Sequence, residues 1–341
     1  MRAFFSTQFA VWRGGPRLGV GLVRVLALLA VFCAVTQVTA APSLPSKSAA
    51  PGHALIPVRS FPITFHNGDV ADVYMPRIPA AARRIFEDAF PVVAVLQGAL
   101  VDKSHYEQLG KAIARQGFVV VIPNHFRPFP PFPGQVLFSE VDVVTAVYEA
   151  MMAEDAARES PLYRIIDTDT MGLIGHSLGG GVGLYALAGI CVPAICTDPS
   201  FHYTPPPALR AAVVYGTNLV ASDGSVTDLN TAGVAVALIQ GSLDGVALPE
   251  KAEPSYATLE QPRALIEIAG ANHYGICDEN NPPGARPDAS VPTLTQAQAN
   301  DYVNDWIGLW LRAQLRDDHR AQHWIERFGG SRDGVVTVVT D

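Results

Sequence analysis

From Val58 to Met75 apolar and polar positions alternate around Asn67-Gly68, a dipeptide that favours a two-residue hairpin turn. An antiparallel hairpin is therefore expected at the start of the folded domain. From Pro91 onward the pattern changes to short, unbroken apolar runs at Pro91–Leu96, Phe118–Pro123, Met171–Ile174, Ala211–Tyr215, Val234–Ile239 and Ala264–Ile268. Runs without alternation suit strands covered on both faces, as in a parallel sheet between two layers of helices. Helical spacing fills the intervals at His105–Gln116, Glu140–Glu159, Leu178–Ala188 and Thr295–Leu315, with Thr295 as the N-cap of the last. This order predicts an α/β fold. The central sheet is mostly parallel with helices on both faces, the hairpin lies at its N-terminal edge, and ligands bind at the carboxyl ends of the strands.

Three stretches fall outside the pattern. Phe126–Gly134 (FRPFPPFPG) follows a strand and reads as a semi-rigid loop above the carboxyl edge, either packed on the surface or forming an apolar wall of a substrate pocket. Asn280–Pro292 is a second Pro-rich loop. Residues 316–341 are charged and end in the β-prone Val335–Thr340, and the pattern gives them no place. The folded domain is accordingly read as 58–315, with the tail at 316–341 left without a structure.

The 341 residues are 49% hydrophobic and 16% charged, a composition that excludes disorder across the whole chain and fits one domain. Charge is uneven. The first 40 residues hold Arg2, Arg13, Arg17 and Arg24 and no acid, which leaves 20 basic against 32 acidic residues after them, a net charge of −12. With only four lysines in the chain, a nucleic-acid-binding face is excluded, and acidic substrates are disfavoured. The basic start, the apolar run Val25–Val35 and the small-residue site Val38-Thr39-Ala40 predict an export signal spanning 1–40, cleaved after Ala40 and followed by a Pro/Ser/Ala-rich spacer at 41–57. The alternative is a retained membrane anchor, although the apolar run of 11 residues is shorter than the roughly 20 that span a bilayer.

Of the four cysteines, Cys191, Cys196 and Cys277 outlast the signal. An oxidising compartment would pair two and strand one, in a pairing that spacing leaves open; otherwise all three are small buried hydrophobes. Cys277 lies four residues past His273, where a disulfide would brace the loop.

The sharpest chemical signal is Gly175-His176-Ser177-Leu178-Gly179, placed between a strand and a helix rich in small residues. This G-x-S-x-G spacing forms a nucleophile elbow, a strained turn whose glycines make room for neighbouring backbone and which holds the serine Oγ exposed at a helix N-terminus. Serine needs a base, and the base an orienting acid. His273 follows the last parallel run, and Asp244 follows the run before it; Asp198 is the competing acid but comes a strand earlier. The tetrahedral intermediate needs two backbone donors. Leu178, next after the nucleophile, supplies one; Ala99 in Gln97-Gly98-Ala99-Leu100 supplies the other, with Leu100 in reserve. Gln97, Leu100, Phe126 and Phe129 are expected to line the substrate site. His319 and His323 have metal-ligand spacing but read as a solvated helix face.

The chain resembles the α/β-hydrolase superfamily over roughly residues 58–315, with nucleophile, acid and histidine in that family's order. Within it, Pro91–Phe126 (PVVAVLQGALVDKSHYEQLGKAIARQGFVVVIPNHF) and GHSLGGG are similar to the chlorophyllase and polyester-hydrolase-like branch, related to the dienelactone hydrolases. The branch carries His-Gly where this chain has Gln97-Gly98, and chlorophyllases carry Arg where it has Leu178. The resemblance implies a serine esterase acting on a neutral hydrophobic ester through an acyl-enzyme, without metal or organic cofactor, in peripheral contact with membrane or lipid. Acyl transfer or amide hydrolysis by the same triad is an alternative reading. A non-catalytic binding protein on the same scaffold is another.

Overall fold

The alternating segment folds as the predicted hairpin. Strands β1 (Val58–Thr64) and β2 (Val70–Pro76) pair antiparallel with Thr64 opposite Val70. Its turn takes three residues, His66–Gly68, rather than two: Gly68 N–H bonds to Phe65 O, Phe65 N–H bonds to Asp69 O, and Gly68 adopts φ +91°. That is the three-residue hairpin in which glycine takes the left-handed position. We describe the protein from a computed structural model covering residues 56–198, 200, 202–231, 233–328 and 334–341. The expected signal at 1–40 and all but the last two residues of the expected spacer lie outside the described residues.

Each unbroken apolar run is a strand: β3 (Phe90–Leu96), β4 (Val119–Asn124), β7 (Ile166–His176), β8 (Leu209–Tyr215), β9 (Ala235–Gly241) and β10 (Arg263–Ile268). The described sheet runs β1-β2-β4-β3-β7-β8-β9-β10-β11, where β11 is Val336–Thr340. From β4 through β10 neighbouring strands are parallel; β1, β2 and β11 pair antiparallel at the two edges. Successive residues point to opposite faces, and here both faces are covered. Val92, Ala94 and Leu96 of β3 pack toward α2 (Asp142–Ala156) and α3 (Leu178–Leu187), whereas Val93 and Val95 pack toward α1 (Glu107–Ala114) and α5 (Gln296–Leu315). A polar residue anywhere along such a strand would meet apolar neighbours, which is why the runs show no period of two.

Three segments depart from expectation. The first predicted helix opens as a tight turn at Lys103–Tyr106 before α1, because Asp102 caps it by accepting from Ser104 N–H. The Pro/Phe loop contains a small hairpin, β5 (Phe126–Pro128) with β6 (Gln135–Leu137). The tail is part of the fold: α6 (His319–Phe328) packs near α5, and β11 extends the sheet beside β10. A short helix, α4 (Ala252–Ala257), lies between β9 and β10. Thr295 caps α5 through a reciprocal pair with Gln298. No helix among the described residues is long and apolar enough to cross a membrane.

Candidate active site

The residues singled out for chemistry sit where parallel strands end: Gln97 to Ala99 after β3, Ser177 after β7, Asp244 after β9 and His273 after β10. Ser177 adopts φ +52° and ψ −120°. A non-glycine residue held there costs on the order of 1–3 kcal/mol, so the surroundings must fix it. They do so by backbone contact. A Cβ on Gly175 would lie 2.5 Å from Gly180 Cα, and one on Gly179 would lie 2.2 Å from Leu96 O. Ser177 N–H also donates to Tyr215 O at 2.9 Å.

The half-buried Ser177 Oγ lies 2.9 Å from His273 Nε2, and His273 Nδ1 lies 2.9 Å from Asp244 Oδ2. Asp244 and His273 are both about 2% exposed. The other carboxylate oxygen of Asp244 accepts from Val246 and Ala247 N–H at 2.8 and 2.7 Å, which fixes the plane of the acid. Asp198 instead faces solvent and accepts from Ser200, bonds that hold its pKa below the usual carboxylate value. The geometry thus joins Ser177, His273 and Asp244 in one line and leaves Asp198 outside it.

Leu178 opens α3, where the first N–H groups have no acceptor inside the helix. Ala99 lies in the turn after β3, and its N–H has no acceptor among the described residues. Leu100 differs: its N–H is given to Leu137 O at 2.9 Å, which removes it as the reserve donor. Gln97 departs further from expectation. Its side chain is fully buried and bonds to Pro123 O, Asn124 Oδ1 and Ser139 Oγ, so it braces the turn from below instead of lining a substrate site. Phe126 is 49% exposed on β5, while Phe129 is half-buried against Phe138, ring centroids 4.6 Å apart.

Sequence reasoning missed Asp288. Its buried carboxylate accepts from His273 N–H at 3.0 Å and Gly245 N–H at 3.2 Å with one oxygen, and from Ser290 N–H at 2.8 Å with the other. The only local signal is Asp288-Ala289-Ser290, an ordinary turn pattern that says nothing of a long-range contact.

Residues 63–195 match a family model described as PET hydrolase-like, and no curated protein matches the chain. The match takes in the turn after β3 and the elbow, and the sheet order and strand-end placement agree with it. The fold is that of an α/β-hydrolase. The matched family is one of hydrolases, and its model ends before the loops that bear Asp244 and His273.

Two further features of this fold bear on the expectations. Cys191 and Cys196 form a disulfide, and Cys277 is free and buried, so no disulfide braces the His273 loop. Ligand atoms of His125, Glu140 and Asp142 lie within 4.8 Å of one another, as metal ligands would. Both nitrogens of His125 are already engaged, however, by Asp69 and Glu140 at 2.8 Å each, and Arg127 lies 3.6 Å from Glu140. The residues form a buried charge network.

Proposed function

We propose that the chain is an exported serine carboxylic-ester hydrolase that works through an acyl-enzyme on a neutral hydrophobic ester. The observation that carries this reading is the continuous line Ser177–His273–Asp244, with Leu178 next in the chain after the nucleophile and the turn that bears Ala99 close by, since a Cβ on Gly98 would lie 3.4 Å from Ser177 Cβ. His273 Nε2 takes the Ser177 proton as Oγ attacks the ester carbonyl, and Asp244 accepts from Nδ1–H and stabilises the imidazolium. Negative charge developing on the carbonyl oxygen meets the two amides and the N-terminus of α3. The imidazolium returns its proton to the leaving alcohol, and a water deprotonated by His273 then releases the acid.

The substrate class rests on the rim. Phe126 and Phe132 are exposed on the β5–β6 hairpin, and the Phe138 ring meets those of Phe129 and Phe132 edge to face. This apolar surface on an acidic protein favours an uncharged aromatic or aliphatic acyl or alcohol group, a polyester among them, in keeping with the PET hydrolase-like match. Ser177→Ala is expected to lower turnover of p-nitrophenyl butyrate at least about a thousandfold with the fold intact. Undiminished turnover, or fluorophosphonate labelling that persists in the variant, overturns the assignment.

A further inference from the structure

His176, the residue between Gly175 and Ser177 in the elbow, is an ionisable side chain with no solvent exposure, and its nearest polar partner Tyr106 has none either. Three hydrogen bonds run through the pair. Gly98 N–H donates to the Tyr106 hydroxyl at 2.9 Å, the Tyr106 hydroxyl lies 2.8 Å from His176 Nδ1, and His176 Nε2 lies 3.0 Å from the carbonyl oxygen of His273.

The chemistry of the partners fixes each proton. A carbonyl only accepts, so His176 Nε2 bears the hydrogen. Burial, with the charge of His273 added, holds the imidazole far below its usual pKa, so the ring is neutral and Nδ1 is a bare acceptor. Tyr106 must therefore donate to Nδ1, which leaves its oxygen to receive Gly98 N–H. The relay has one direction, and the buried Cys277 thiol lies beside it, 4.0 Å from His176 Nδ1. Its ends are the residue before the Ala99 donor and the carbonyl of the base itself, and its centre is bonded covalently to Ser177. Gly98 allows the approach, since a Cβ there would lie 2.8 Å from His176 Nδ1.

We propose that Tyr106 and His176 are positioning residues that hold the oxyanion turn and the base loop in register with the nucleophile, a role that rests on the hydrolase reading above. Asp244 orients the imidazole of His273 from the side; this relay holds the backbone of His273 from below. Its removal should therefore disturb groups used in the transition state and spare those that bind substrate.

Tyr106→Phe deletes one hydroxyl and keeps the ring, leaving Gly98 N–H without its acceptor and His176 Nδ1 with only the Cys277 thiol, 4.0 Å away. The expected result with p-nitrophenyl butyrate is a roughly ten- to hundredfold loss of kcat with KM within about threefold, since small misplacements of catalytic groups cost this much. Loss of packing alone would lower the melting temperature and leave kcat per folded molecule unchanged. Nitrogen-15 histidine spectra of the wild-type protein supply a second arm, in which His176 is expected as the Nε2–H tautomer with no titration between about pH 5 and 9. A variant with unchanged kcat, or a His176 ring that titrates or bears its proton on Nδ1, overturns the relay while the wild type remains active. A wild type without turnover overturns the hydrolase reading and the role together. Should the variant fail to fold, the tautomer measurement decides.

Discussion

Asp288 accepts from the backbone of His273 and from Gly245, the residue after Asp244, and so holds the base loop against the acid loop. Asp288→Ala leaves the buried His273 N–H without an acceptor, at a cost of about 1–3 kcal/mol. Denaturant unfolding should show that loss together with at least a tenfold drop in kcat, and Asp288→Asn, which keeps one acceptor oxygen, should recover part of both. Equal activity in the Ala variant would show that the two loops hold their spacing without it. Ser177, His273 and Asp244 were readable in the sequence because each follows an apolar run, and strand order dictates which loops meet. Asp288 and Tyr106 were not. They act through contacts to backbone N–H groups and, for Tyr106, to the buried His176 ring, all of them partners distant in sequence that no local pattern marks until the chain is folded. Gln97 was misread for a related reason: its place beside the oxyanion turn is visible in the chain, but the direction of its side chain is set by Pro123, Asn124 and Ser139.

Between elements, His125 joins the start of β2, the end of β4 and the approach to α2 through Asp69 and Glu140. Burial alone would lower its pKa, but the hydrogen bonds and charges of the two carboxylates outweigh this and bring it up to about 9. The unfolded ring loses its proton near pH 6.5 and the folded one near 9, so the native state binds the extra proton between these values. The network's contribution is thus complete below about pH 6.5 and is lost as pH rises through 9, a change of at most about 3 kcal/mol. Denaturation midpoints measured from pH 6 to 10 should fall across this window in the wild type and fall less steeply in Glu140→Gln. A flat wild-type profile would refute the charged state of His125. The same network explains why the Pro/Phe segment was legible as a loop but not as a hairpin. Its three-residue strands are too short to show a period, and the segment is fixed by Arg127 bonding to Ala194 O and by Leu137 O accepting from Leu100, partners distant in sequence.

Across the whole molecule, the parallel sheet and its two helical layers follow from apolar runs alone, whereas the tail did not. Strand β11 finds its place by pairing with β10, and Asp341 there forms a bidentate ion pair with Arg263, a contact spanning 78 positions. The N-terminal pattern leads to a prediction at this scale: protein recovered from the periplasm or medium of an expressing bacterium should begin at Ala41 by intact-mass measurement. Full-length chain retained in the membrane fraction would favour the anchor instead. The disulfide between Cys191 and Cys196 accords with an oxidising destination. The contact of α3 with the sheet sets a limit on how such a molecule diversifies. Where helix and strands meet at Gly175, Gly179 and Gly183, even one added methyl group would collide with Gly180, Leu96 or Leu173. These three glycines therefore leave no room for a side chain where the helix meets the strands beneath the nucleophile. Descendants of this sequence that acquire new substrates must do so in the strand-end loops, chiefly the aromatic hairpin at 126–137, while the elbow passes between them unaltered.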